Sequence, residues 1–165
     1  MANRPPLKEY QNIHQLSAMA KGDIHRIAQE TGNHWRKIFN VYAKVVFSLA
    51  IKDADDAILQ YKTWQCYRDE KLLQAGSSSQ LHFASSLMAE NLSRVDDSCI
   101  RIVMGKAFAE TLLEGIELTW LDRDFAINKA LGIIVCPYFD YRQLSNAKIE
   151  TLIELIRRYR DRSFS

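Results

Sequence analysis

The sequence predicts an α/β fold: a short, mainly parallel sheet covered by helices, with extra helices at the amino end. Three observations predict it. Apolar, β-branched runs at Cys99–Met104 and Ile133–Val135 stop at Gly105 and Pro137 and lead into helical patterns. From Lys71 onward the signals read strand, helix, strand, helix, strand, helix, which right-handed crossovers turn into a parallel sheet. Ahead of them Trp35, Ile38, Phe39, Tyr42, Val45, Val46 and Leu49 keep the spacing of a helix with one buried face.

Residues 1–21 have no clean period, and Pro5-Pro6 forbids a helix start, so this stretch is expected to wrap the domain. Asp23 can cap a short helix carrying Ile24, Ile27 and Ala28, which Thr31-Gly32 stops. Asn33 can cap the long one. Asp53 with Asp56 suits another start, and Ile58, Tyr61, Trp64 and Cys66 continue an apolar side. Lys71–Ala75 reads as a short strand and Gly76-Ser77-Ser78-Ser79 as the loop after it. A helix with Leu81, Ala84, Leu87, Met88, Leu92 and Val95 on one face should end at Asp96-Asp97. Lys106–Leu113 reads as helix, and Ile116–Leu121 as an extra strand or loop. Asp122 can cap a helix through Leu131. Ser145 is a good N-cap for the last helix, Asn146 to Asp161, with Leu144 and Ile149 as a hydrophobic staple. Its buried face should be Ile149, Leu152, Ile153, Ile156 and Tyr159.

A chain of 165 residues fits a single domain able to bury roughly two thirds of its unfolded surface. Its 22 basic and 20 acidic residues leave +2, so any basic surface must be local. Cys66, Cys99 and Cys136 are odd in number and widely spaced, which points to free thiols in a reducing compartment and to no metal site. No signal peptide opens the sequence and no apolar run nears the ~18 residues of a membrane span. A cytoplasmic protein with no membrane contact is expected.

In open parallel sheets ligands lie beyond the carboxyl ends of the strands. Three loops meet that description: Gly76, Ser77, Ser78 and Ser79; Gly105 and Lys106; and Pro137 through Leu144. Small hydroxyl residues let a phosphate or base approach, Lys106 brings charge, and Tyr138, Phe139, Tyr141 and Arg142 bring stacking and charge. Aromatics interleaved with a cation are what single-strand or flipped-base binding uses. DNA or a nucleotide-like ligand is the expected partner. P-loop, GxGxxG, HExxH and GxSxG motifs are absent, so no cofactor is expected. The candidate catalytic side chains are Asp140, in the aromatic loop, and His34, at a helix start.

Cys99-Ile100-Arg101-Ile102-Val103-Met104-Gly105-Lys106-Ala107 resembles the strand ending in Leu-Gly-Lys of the uracil-DNA glycosylase superfamily, above all its mismatch-specific branch. Pro137 through Glu154 resembles the family's DNA-gripping loop and the helix behind it, and Gly32-Asn33-His34-Trp35-Arg36 resembles its Asn-x-Phe-Trp helix start. The resemblance implies a three-layer α/β/α domain. The family's water-positioning Gly-x-Asn-Pro-Gly loop has no counterpart in residues 1–30, and Cys136-Pro137-Tyr138-Phe139-Asp140 stands where the family has small residues. The expectation is therefore a glycosylase-like fold that binds nucleic acid or a nucleotide-like ligand without standard glycosylase catalysis. An active base-excision glycosylase using Asp140 or His34, and a protein-interaction module docking through the aromatic loop, are the alternatives.

Overall fold

The computed structural model describes residues 1–13, 15–83 and 99–161. Pro5-Pro6 delays the first helix to α1 (Lys8–Gln11), and the Arg4 guanidinium fastens its end by donating to the carbonyls of Tyr10, Gln11 and Ile13 at 3.2, 3.0 and 2.8 Å. Helix α2 (Asp23–Thr31) starts where the Asp23 carboxylate accepts the Ala20 N–H at 2.9 Å and stops at Gly32, whose φ of 77° favours glycine. Helix α3 (Asn33–Asp53) follows at once. It is buried more widely than a one-faced helix: from Lys37 to Ala50 no residue is exposed, and Val41, Ala43 and Phe47 join the expected Trp35, Ile38, Phe39, Val45 and Leu49 in the core.

The single helix expected after Asp53 is instead two, α4 (Asp56–Leu59) and α5 (Trp64–Glu70). Each has its own cap: Asp55 accepts from Ala57 N–H at 3.0 Å and Thr63 from Cys66 N–H at 3.2 Å, with Lys62 between them at φ 64°. The strand expected over Lys71–Ala75 is a turn. Leu73 adopts φ 60°, which no strand residue can, and pairing is limited to one bridge from Gln74 to Met19. Buried Leu72 and Leu73 give this turn the apolar content that reads as strand.

These elements form a compact helical unit, Asn3–His82 together with Phe139–Tyr141. A second, sheet unit comprises Met1–Ala2, Phe83–Tyr138 and Arg142–Ser165. The helix expected over Leu81–Val95 lies outside the described residues from Ala84 on; Leu81 to Phe83 are not helical.

The sheet unit contains β1 (Arg101–Met104), α6 (Lys106–Leu112), β2 (Thr119–Trp120), β3 (Ala126–Asn128), β4 (Ile133–Cys136) and α7 (Asn146–Arg160). The strand order is β1-β4-β3-β2. Strands β1 and β4 are parallel, pairing Arg101 with Ile133 through Met104 with Cys136, whereas β3 runs antiparallel to both β4 and β2. The sheet is thus mixed rather than mainly parallel. All of β4 is buried, as a central strand covered on both faces must be. Val103, Ala126, Ile133 and Val135 share a cluster with Ala109 and Leu113 at α6, so Ile134 and Cys136 alternate to the opposite face. Helix α7 buries Ile149, Leu152, Ile153, Leu155 and Ile156, and the Tyr159 hydroxyl donates at 2.5 Å to the carbonyl of Asn128.

Strand β3 replaces the helix expected from Asp122 to Leu131. The Asp122 carboxylate does accept N–H groups two and three residues on, from Asp124 and Phe125 at 2.7 Å each, as a helix cap would. Here those bonds close the β2–β3 turn, because the same side-chain chemistry serves an Asx turn and an N-cap alike. Asp122→Ala should cost about 1 kcal/mol of unfolding free energy, read from the midpoint of a urea melt.

Candidate functional site

The residues expected to bind ligand fall in both units. Gly76, Ser77, Ser78, Ser79 and Phe139 belong to the helical unit, with His34 and Asp140; Gly105, Lys106, Pro137, Tyr138 and Arg142 belong to the sheet unit.

In the sheet unit the parallel pairing brings two of the three expected loops together. The N–H of Gly105 donates to the Cys136 carbonyl at 2.8 Å, so the carboxyl ends of β1 and β4 lie side by side. Gly105 has φ 94°, which strains any residue with a side chain; a Cβ there would stand 3.8 Å from the Tyr138 ring, an ordinary contact. The exposed Lys106 holds its ammonium 4.4 Å from the ring centroid of Trp120, a cation–π arrangement. Because β2 runs antiparallel to β3, and β3 to β4, β2 points the same way as β4. Trp120 pairs with Ala126, which pairs with Val135, so the indole lies one residue below the carboxyl ends of β1 and β4. Trp120 is 37 % exposed and the adjoining Leu121 48 %. Tyr138 is half-buried and Arg142 exposed, while Pro137 is buried and shapes the loop rather than facing a ligand. The Cys136 thiol is fully buried, and burial pushes its pKa well up, away from nucleophilic use.

In the helical unit the three consecutive residues Phe139–Tyr141 engage α3. Phe139 is 2 % exposed and meets the Tyr42 ring edge-on, centroids 5.8 Å apart, so it is a core residue with no face for a base. The Asp140 carboxylate accepts from the Lys37 ammonium at 3.3 Å, and Lys37 also lies 5.0 Å from the centroid of the exposed Tyr141 ring. His34 is exposed at the start of α3, edge-on to buried Trp35.

The serine loop has a different neighbourhood. The Ser77 hydroxyl oxygen accepts from the N–H groups of Leu73 at 3.3 Å and Ser79 at 3.4 Å, folding the loop around itself. Beside it stand two phenols, that of buried Tyr67 and that of part-buried Tyr42. Burial raises the pKa of Tyr42 to about 12 against the opposing pull of Ser79, and its hydroxyl donates to the Gln80 carbonyl at 3.0 Å. Burial also raises Tyr67, offset in part by Ser77, Ser79 and Ser78 around its hydroxyl.

Sequence reasoning passed over Trp120, Tyr42 and Tyr67. A tryptophan directly before the turn residues Leu121-Asp122 marks a strand end. A tyrosine on a buried helix face within about ten residues of a serine run was the signal for Tyr67, since a buried hydroxyl needs a partner.

Among the described residues no group of three or more His, Cys, Asp or Glu side chains is placed to hold a metal, and no helix is long and apolar enough to cross a membrane.

A mixed helix-and-sheet protein with a cation and an exposed indole near the carboxyl ends of its parallel strands is the class that this fold and site define. The chain belongs to the family of unknown function DUF6942, which matches residues 1–157. No curated protein and no solved structure matches it.

Proposed function

We propose that this chain is a nucleic-acid or nucleotide-binding protein of glycosylase-like α/β/α build, without standard glycosylase chemistry, whose ligand lies by the loops after β1 and β4. The observation that carries the reading is the Lys106 ammonium over the exposed Trp120 ring, next to Gly105 and Tyr138. An exposed indole stacks a base of any identity, and an adjacent ammonium takes the phosphate that accompanies it. Tyr138 and Arg142 extend the stacking and charged surface. The Asp140 carboxylate, the base an active enzyme would use, is engaged by Lys37.

Titrating the protein with a short single-stranded oligonucleotide should quench tryptophan fluorescence. Trp120→Ala should weaken binding by about 5- to 150-fold, the worth of one stacked base. Lys106→Ala should weaken it and flatten the salt dependence. Binding unchanged in both variants sinks the reading. In the same preparation, a uracil or mismatch duplex that gains alkali-labile breaks lost in Asp140→Ala would replace it with an active glycosylase. A second reading rests on Trp120 and Leu121 being exposed on β2, the strand at one end of the sheet order: a protein partner could dock there, and its binding would be indifferent to salt.

A further inference from the structure

Strand β2 ends the sheet order, and its outer side meets no other strand among the described residues. The hairpin register fixes which of its backbone groups face outward. The Leu121 N–H donates to the Phe125 carbonyl at 2.9 Å, and Trp120 lies opposite Ala126, so Leu121 and Thr119 turn their backbone polar groups toward β3. The N–H and C=O of Trp120 therefore point away from β3. Among the described residues both are unpaired, on a residue that is itself exposed.

The two ends of the sheet differ. In β1 every residue is buried or part-buried, whereas both residues of β2 are exposed. Open edges are commonly guarded by a proline, a lysine or another charge within the strand, and β2 has none of these; threonine and tryptophan are both good strand formers. The charges stand outside it instead. Glu117 and Arg123 each lie three residues from Trp120, on opposite sides of it. Glu117 is exposed, and the Arg123 side chain is 88 % exposed, with an ion pair to its neighbour Asp124 at 3.5 Å that water screens.

Opposite charges at equal distances from a central residue make a strand complementary to itself. Two copies of β2 laid antiparallel about Trp120 exchange the N–H and C=O of that residue, and Glu117 of each copy comes beside Arg123 of the other. Laid parallel, they would set Glu117 against Glu117 and Arg123 against Arg123. We infer that β2 is a self-association edge, through which two copies of this chain pair antiparallel about a two-fold axis at Trp120 and join their sheets. The inference goes beyond both readings above, since it needs neither a base nor a foreign partner. Such a contact is isologous, so it closes at a dimer. The strand is short and the shared area small, so the dimer is weak and forms with rising concentration. Its two indoles come side by side on the face that Leu118 turns to the α6 cluster.

Sedimentation of the full chain at increasing concentration tests it. The mass should rise from one chain toward two and stop there. Glu117→Arg and Arg123→Glu should each raise the dissociation constant about tenfold, because each turns two attractions into two repulsions. The double variant, with the charges exchanged, should recover the wild-type constant, as only a contact between Glu117 and Arg123 of different copies allows. Circular dichroism of the three variants confirms that they fold. A mass of one chain at every concentration overturns the inference. So does a dimer that the single reversals leave unchanged or that the double variant fails to restore. A chain that stays monomeric while Trp120→Ala still costs it oligonucleotide binding overturns this inference alone and keeps the stacking surface.

Discussion

Shortening Ile134 to alanine is expected to lower the unfolding free energy by about 3 kcal/mol. Ile134 is 0 % exposed in the middle of β4, the strand with neighbours on both sides, pairing with Ile102 in β1 and Ile127 in β3. Its side chain alternates away from the α6 cluster, so the loss falls on the face that holds Cys136. Three methylene-sized groups leave a void that backbone hydrogen bonds on either side keep from closing, and alanine is a poor strand former besides. Against a usual total of 5–15 kcal/mol, roughly, that is a large share. Urea melts should show a lower midpoint at unchanged slope. Ile102→Ala, at a position only part-buried, serves as the control and should cost less. Equal losses at the two positions would mean that β4 is not the centre of this core.

The second large effect is alkaline. An unfolded tyrosine ionises at about pH 10, whereas burial holds the Tyr42 proton until about pH 12. In that window the native state carries one proton more than the unfolded state, so stability falls as pH rises, by about 1.4 kcal/mol per pH unit. Below the window the contribution is complete, and above it the contribution is gone. A Tyr42→Phe variant has no such proton to lose. The wild type's starting advantage, about 1 kcal/mol from its bond to Gln80, should therefore shrink and then reverse in urea midpoints taken from pH 9 to pH 12. Parallel curves would show that Tyr42 titrates normally.

Much of this fold was legible because its signals are local. Asp23 and Gly32 around α2, the period through α3, and the β-branched run of β4 ending at Pro137 each read correctly from a few neighbours. What misled were residues whose chemistry has two uses. Asp122 offers the bonds of an N-cap and closes a hairpin turn instead, and from that one substitution of roles the sheet becomes mixed. Leu72 and Leu73 are apolar because they are buried in a turn, not because they pair. At the site, Gly105, Lys106 and Tyr138 were visible as strand-end residues, and the parallel pairing of β1 with β4 brings two of them close. The sequence reads Phe139 as a ligand-stacking ring and Asp140 as a catalytic candidate in a strand-end loop. They are one as core and the other as ion pair, because Tyr42 and Lys37 lie on α3 a hundred residues earlier and no local pattern connects the two. Trp120 was hidden for the same reason: its meaning depends on which strand ends beside it.

The short return of Phe139–Tyr141 to the helical unit also bears on how the protein is made. Synthesis proceeds from the amino end, and domains generally begin to fold as they emerge. Here the helical unit is still missing the ring that meets Tyr42 and the carboxylate that meets Lys37 after its first eighty residues are out. It can be completed only once Tyr141 has been added, and by then β1 through β4 have all been synthesised. Cutting the chain at one point cannot yield either unit whole, so neither can pass between proteins as an exchangeable module.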